Sequence, residues 1–395
     1  MQRFISAALA IIVAVATFTS VAAQGAAAQG AAAGPGPGRA GGAGGGRGGG
    51  RGGMTPSAIR AVPAETTAAK AKDPNWKAPK TAWGHPDLEG TWTSDDMLSV
   101  PVSRGRGIGA RESLTPEEFL QRASGDEGQK FRAVNQETIL RNERGVRTFG
   151  YTSMVIDPPT GIMPPMTEAG RARAAKSDRG TFGTGPFDGF DDFTLYDRCV
   201  TRGILGSTLP VIYGNGMRIV ETPNEVVISY EMIHDTRVIP LDGRPHLGPA
   251  LTQYLGSSRA RWDGDTLVVE TTNLTDKTSV GANGNGTRHS DRMKLTEWFT
   301  RVDPQMVEYK VRVEDPVAYT APFTLRMMIT QQPDYEVYKY ACHEGNGAVG
   351  YALSADRAFD RRVEEAKAKG LPIPQRDMSS PYGPPVEGLE VIEVR

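Results

Sequence analysis

The side chains with most chemistry to offer fall in two places. Residues 231–246 hold His234, Asp235, Arg237, Asp242, Arg244 and His246, and Glu297 stands in an otherwise apolar run further on. Side chains alternate faces along a strand. Val226, Ile228, Tyr230, Met232 and His234 therefore share one face, four of them apolar or aromatic, and Met293, Leu295, Glu297 and Phe299 share another. Both faces are expected to point inward, placing an imidazole and a carboxylate in a sheltered interior. Groups so placed have perturbed ionisation and can serve as general acid and base. The reading assigns His234 as the base, Glu297 as the acid or orienting group, and Asp235 beside them. A satisfied structural pair would account for the same residues.

Around this pair, Tyr230, Arg237, Arg244, His246, Arg259 and Arg261 are the candidate ligand-binding groups. Asp242-Gly243 reads as a turn at a rim, which brings Arg244 and His246 there. Arg259 and Arg261 alternate on one strand face, and a guanidinium fork suits a carboxylate or phosphate. Surface ion pairs with Asp263, Asp265 or Glu270 are the competing use. His234, His246, His343 and Glu344 would be the ligands of a zinc ion if they converged, but no His-x-His or His-Glu-x-x-His spacing occurs, so neither metal nor cofactor is expected. There is no Gly-x-Ser-x-Gly elbow, and the Gly-rich stretch 281–286 follows no strand and opens no helix. It reads as a hairpin loop, a candidate lid.

Four hairpins must position these groups. Their strands are expected at 217–222 and 225–238, 257–262 and 266–272, 292–302 and 306–314, and 322–330 and 335–342. Pro223-Asn224, Asp263-Gly264, Asp303-Pro304 and Pro333-Asp334 supply the turns. Eight strands joined this way predict a mainly β fold: an eight-stranded antiparallel meander barrel, closed so that no edge is exposed. Short strands are expected at 88–93 and 152–156, and helices from the Thr115-Pro116-Glu117-Glu118 capping box, over 167–176, and over 354–369 with Gly370 as stop. The folded region is read as one domain over 81–395, an irregular part at 81–215 preceding the meander at 216–342.

The remaining residues narrow the classes. Among 395 residues, 45 basic side chains meet 46 acidic ones, for a net charge of -1, which argues against a nucleic-acid partner held through phosphates. Arg3, the uncharged apolar run 4–21 and Val21-Ala22-Ala23 fit a signal peptide over 1–23; a membrane anchor is the alternative. Residues 24–80 are rich in Gly and Ala and read as a flexible tether without a membrane span. The chain is thus expected to be periplasmic or secreted, with no transmembrane span once mature. There Cys199 and Cys342, the only two thiols, are expected to pair as a disulfide; a Cys342 nucleophile beside His343 is the alternative.

Gly90-Thr91-Trp92 is similar to the Gly-x-Trp signature of lipocalins and other calycin barrels, where the Trp closes one end. That resemblance implies a calycin-like architecture with Trp92 packed near a late-strand arginine such as Arg312. Residues 153–159, 197–203, 231–246, 258–267 and 340–346 resemble an uncharacterised family of exported bacterial β-rich proteins found in Acidobacteria and Proteobacteria. No catalytic role comes with that likeness. The expectation is therefore an exported enzyme moving protons on a small organic or sugar-derived substrate, by isomerisation, elimination or hydrolysis. A lipocalin-like carrier of an apolar ligand, or a structural envelope protein, is the alternative.

Overall fold

A computed structural model describes residues 76–124, 147–177, 185–211, 214–284, 286–331 and 336–375. The expected signal peptide, most of the tether and the Pro333-Asp334 turn lie outside the described residues. In chain order the strands are β1 (Gly90–Thr93), β2 (Val155–Asp157), β3 (Gly216–Glu221), β4 (Glu225–Tyr230), β5 (Thr236–Pro240), β6 (Ser257–Asp263), β7 (Thr266–Thr272), β8 (Ser279–Val280), β9 (Thr287–Arg288), β10 (Lys294–Asp303), β11 (Met306–Glu314) and β12 (Phe323–Thr330). The helices are α1 (Pro116–Ser124), α2 (Glu168–Ser177), α3 (Gly203–Thr208) and α4 (Ala348–Lys369).

The hairpins form where turn chemistry demands them. Asp263 and Thr266 close the β6–β7 turn, with Gly264 at φ 59°, a left-handed position that suits glycine. The Thr115 N–H donates to the Glu118 carboxylate and the Glu118 N–H to the Thr115 hydroxyl, a capping box at the start of α1. Gly370, in the left-handed region, ends α4, which begins six residues ahead of the expected Ser354.

Ten of the described strands make one antiparallel sheet in the order β5-β4-β3-β1-β12-β11-β10-β7-β6, with β2 added alongside β12. This corrects the expected eight-stranded closed barrel in two respects. Residues 336–342 form no strand, so the last hairpin is missing its second arm. In its place β1, from the part expected to be irregular, enters the sheet between β3 and β12. The sheet curls strongly nonetheless. Arg237 of β5, at one end of the strand order, hydrogen-bonds Ser258 of β6 and Thr271 of β7 at the other. The two ends face each other without ladder bonds, leaving a seam.

The concave side is packed with apolar side chains. Leu267, Val269, Leu295, Phe299, Val307, Val311, Phe323 and Leu325 are all buried, which is the dominant stabilising term for a fold of this kind. Trp92 is buried on β1 and donates its indole N–H to the Leu88 carbonyl at 2.9 Å. The guanidinium over its ring, 5.4 Å from the centroid, belongs to Arg301. The expected Arg312 instead sits on the surface and pairs with Asp157 and Glu314.

Cys199 and Cys342 form a disulfide. It joins the segment ahead of α3 to the turn ahead of α4, rather than to a last strand. Residues 282–284, between β8 and β9, pack against α3 instead of standing as a lid. A Cβ on Gly284 would lie 2.6 Å from the Arg202 carbonyl oxygen, so only glycine fits there.

Candidate functional site

The alternation that puts Val226, Ile228 and Tyr230 inward holds through β4 and then stops. The chain breaks at residues 231–235, where Ile233 and His234 adopt φ of 64° and 47°. Inserting this kink changes the parity of the strand that follows. In β5 the odd positions, Arg237 and Ile239, face inward, and Thr236 and Val238 face out. His234 is exposed, not interior. A one-residue change of register moves every side chain to the opposite face, so the interior cation is Arg237.

Glu297 does lie inside, with 0% of its surface exposed. Arg237 holds it with two parallel bonds, Nη1 to Oε1 at 3.0 Å and Nη2 to Oε2 at 2.6 Å. The Tyr309 phenol donates to Oε1 at 3.1 Å. Arg237 also donates to the Tyr230 phenol oxygen, Ser258 Oγ and Thr271 Oγ1, and Ser258 and Thr271 bond each other at 2.9 Å. Burial opposes the charge on Arg237, but the Glu297 carboxylate outweighs it and holds the guanidinium above its ordinary value. Burial pushes the phenols of Tyr230 and Tyr309 up as well, so both stay neutral. Only Nε of Arg237 lacks a partner. The carboxylate is thus taken up as the counter-ion of a buried guanidinium.

Above the ion pair, at the seam, lies a cleft of about 720 Å³. Arg237 and Ser258 line its base. Thr236 and Val238 of β5 form one wall, and Gln253, Tyr254 and Gly256 of the loop leading into β6 form the other. Asn273 holds that loop by donating its amide to the carbonyls of Leu247, Gly248 and Leu251. Asp235 also lines the cleft; burial pushes its carboxyl up, and Thr201 donates a hydrogen bond to it.

Of the expected ligand-binding groups, Arg237 alone lines this cleft, with Tyr230 buried beneath it in the same network. Arg244 pairs with Asp242 at the surface. Arg259 donates to the carbonyls of Arg244 and Ser258 rather than to a carboxylate; Arg261 pairs with Glu270, one of the ion pairs of the competing reading. His246 Nδ1 lies 2.8 Å from the Ser257 carbonyl. The histidines do not converge with Glu344, and among the described residues no group of His, Cys, Asp and Glu could hold a metal ion. Sequence reasoning missed Ser258, Thr271 and Tyr309. Alternation carried the signal: Tyr309 sits between Val307 and Val311, and Thr271 two residues from Val269, on inward faces.

A second cleft, of about 900 Å³, opens beside the 247–256 loop over Met293, Pro316, Tyr319 and Pro322. Thr252 lines both clefts. No protein-family model, curated protein or solved structure matches the chain. No helix among the described residues is long and apolar enough to cross a membrane.

Proposed function

We propose that this is an exported protein that binds a small organic molecule in the seam cleft of a calycin-like curled sheet. The observation that carries the reading is the cleft itself. It has the size of a ligand pocket, and its base is a rigid, buried Arg237–Glu297 network that leaves one arginine donor without an acceptor. The disulfide favours an oxidising compartment, as does the signal-like N-terminus. The interior of the sheet is filled with side chains, so the pocket is the seam and not a lumen. The expected proton transfer between His234 and Glu297 has no assembled pair to support it.

The test is mass spectrometry of small molecules that co-purify with the mature protein, followed by thermal-shift titration. A ligand at a hundred times its Kd stabilises the folded state by about 2.7 kcal/mol. Gln253→Trp, which fills the cleft from its wall, is expected to abolish the shift. A shift unchanged in that variant would refute the seam as the site. A second reading keeps Asp235 as a general acid or base, because its raised carboxyl lines the same cleft. Turnover of the bound compound that Asp235→Asn abolishes without weakening binding would favour it.

A further inference from the structure

Resting on the seam cleft as the binding site, we infer that its ligand is a neutral, polyhydroxylated molecule of mono- or disaccharide size. Charge is the first argument. Arg237 is neutralised by Glu297, which leaves Asp235 and Lys277 as the charged side chains among the described lining residues, and these are of opposite sign. A phosphate or dicarboxylate would find no surplus cation, and an ammonium no surplus anion.

The second argument is the kind of hydrogen bond on offer. Thr236, Thr252, Gln253, Ser258 and Thr275 line the space; the hydroxyls of Thr236, Ser258 and Thr275 bond Ser229, Arg237 with Thr271, and the Lys277 amide, which leaves the Thr252 hydroxyl and the Gln253 amide for a ligand. Hydroxyls and amides both donate and accept, which matches a ligand whose own groups do both. The lining is of mixed character, with Val238, Tyr254 and Leu255 beside the polar groups. A fatty or aromatic hydrophobe would cover the Thr252 hydroxyl and the Gln253 amide without giving them partners.

The third argument is Tyr254. Its side chain is 38% exposed at the cleft wall, while the other tyrosines of the site, Tyr230 and Tyr309, are buried. An aromatic face open to a polar pocket can cover the C–H face of a sugar ring while its hydroxyls bond the walls. Val238, 54% exposed, is a second apolar residue of the lining.

Isothermal titration of the mature protein tests the class, with glucose, galactose, mannose, maltose, cellobiose and lactose as neutral probes. Glucose 6-phosphate and decanoate are the charged and apolar counterparts. At least one neutral sugar is expected to bind at least tenfold more tightly than either counterpart, with Tyr254→Ala weakening it tenfold or more and Gln253→Trp abolishing it. If decanoate or the sugar phosphate binds more tightly and Gln253→Trp abolishes that binding, the sugar class is overturned and the seam site stands. If no neutral sugar binds, while a co-purified compound binds in a Gln253→Trp-sensitive way, the class is likewise overturned. If neither the probes nor any co-purified compound responds to Gln253→Trp, both readings fall together.

Discussion

Replacing Glu297 with glutamine tests whether the buried ion pair organises the curled sheet. The substitution keeps shape and one acceptor, so Tyr309 and one Arg237 N–H can still be served. It removes the counter-charge of a guanidinium that is 3% exposed, and turns the second carboxylate oxygen into an amide that faces Arg237 Nη2 donor to donor. Removing one partner of a buried pair costs about 3–5 kcal/mol, chiefly because the other charge stays buried and uncompensated. At roughly 2 °C per kcal/mol for a domain of this size, the melting temperature should fall by about 6–10 °C. Urea unfolding followed by tryptophan fluorescence measures the loss as a shift in midpoint at constant slope. The Arg237→Met and Glu297→Gln double variant should be less damaged than the sum of its single variants, because no buried charge is left without a partner. A loss below about 1 kcal/mol in Glu297→Gln, or strict additivity in the double variant, would refute the argument.

Three further outcomes are expected. Glu221 is buried on β3, accepts from the Leu88 amide and lies near Asp87 and Glu89; burial first, and those two carboxylates after it, push its carboxyl to about 7. The folded state then holds a proton that the unfolded chain releases near 4.5. Stability should therefore fall as pH rises from about 4.5 to 7, by at most about 3 kcal/mol and less once solvent screening is counted. Urea midpoints across pH 4–8 should show this decline in the parent and a flatter profile in Glu221→Gln; parallel profiles would count against it. Replacing Cys199 and Cys342 together with serine opens a loop spanning 143 residues and should cost about 5 kcal/mol by loop-closure entropy, read as a lower midpoint that reductant no longer changes. His234→Ala, on an exposed side chain, should move stability by no more than about 0.5 kcal/mol; a loss of several kcal/mol would mean that the ring is buried after all.

Local chemistry in the sequence determined a good deal of this protein. Turn residues such as Asp263-Gly264 set the hairpins, period-two alternation buried Glu297 and Phe299, the Thr115 box started α1, and two thiols sufficed to name the disulfide. Each of these depends on neighbours within a few residues, or on there being no other partner to choose. Whether residues 225–238 run as one strand was different. The left-handed backbone at Ile233 and His234 inverted the parity of everything beyond it, sent the imidazole to solvent and brought Arg237 to Glu297. No alternation rule foresees such a break, because it is stabilised by distant contacts: Thr201 bonds Asp235, and the Tyr338 amide bonds Glu231. The same holds for closure. Pattern alone built a ring from eight meander strands, whereas the folded chain drew β1 into the middle of the sheet and left β5 and β6 facing across a gap. Strand order is decided by which edges bury the most apolar surface together, a property of the whole chain, and the cleft at that gap exists only because of it.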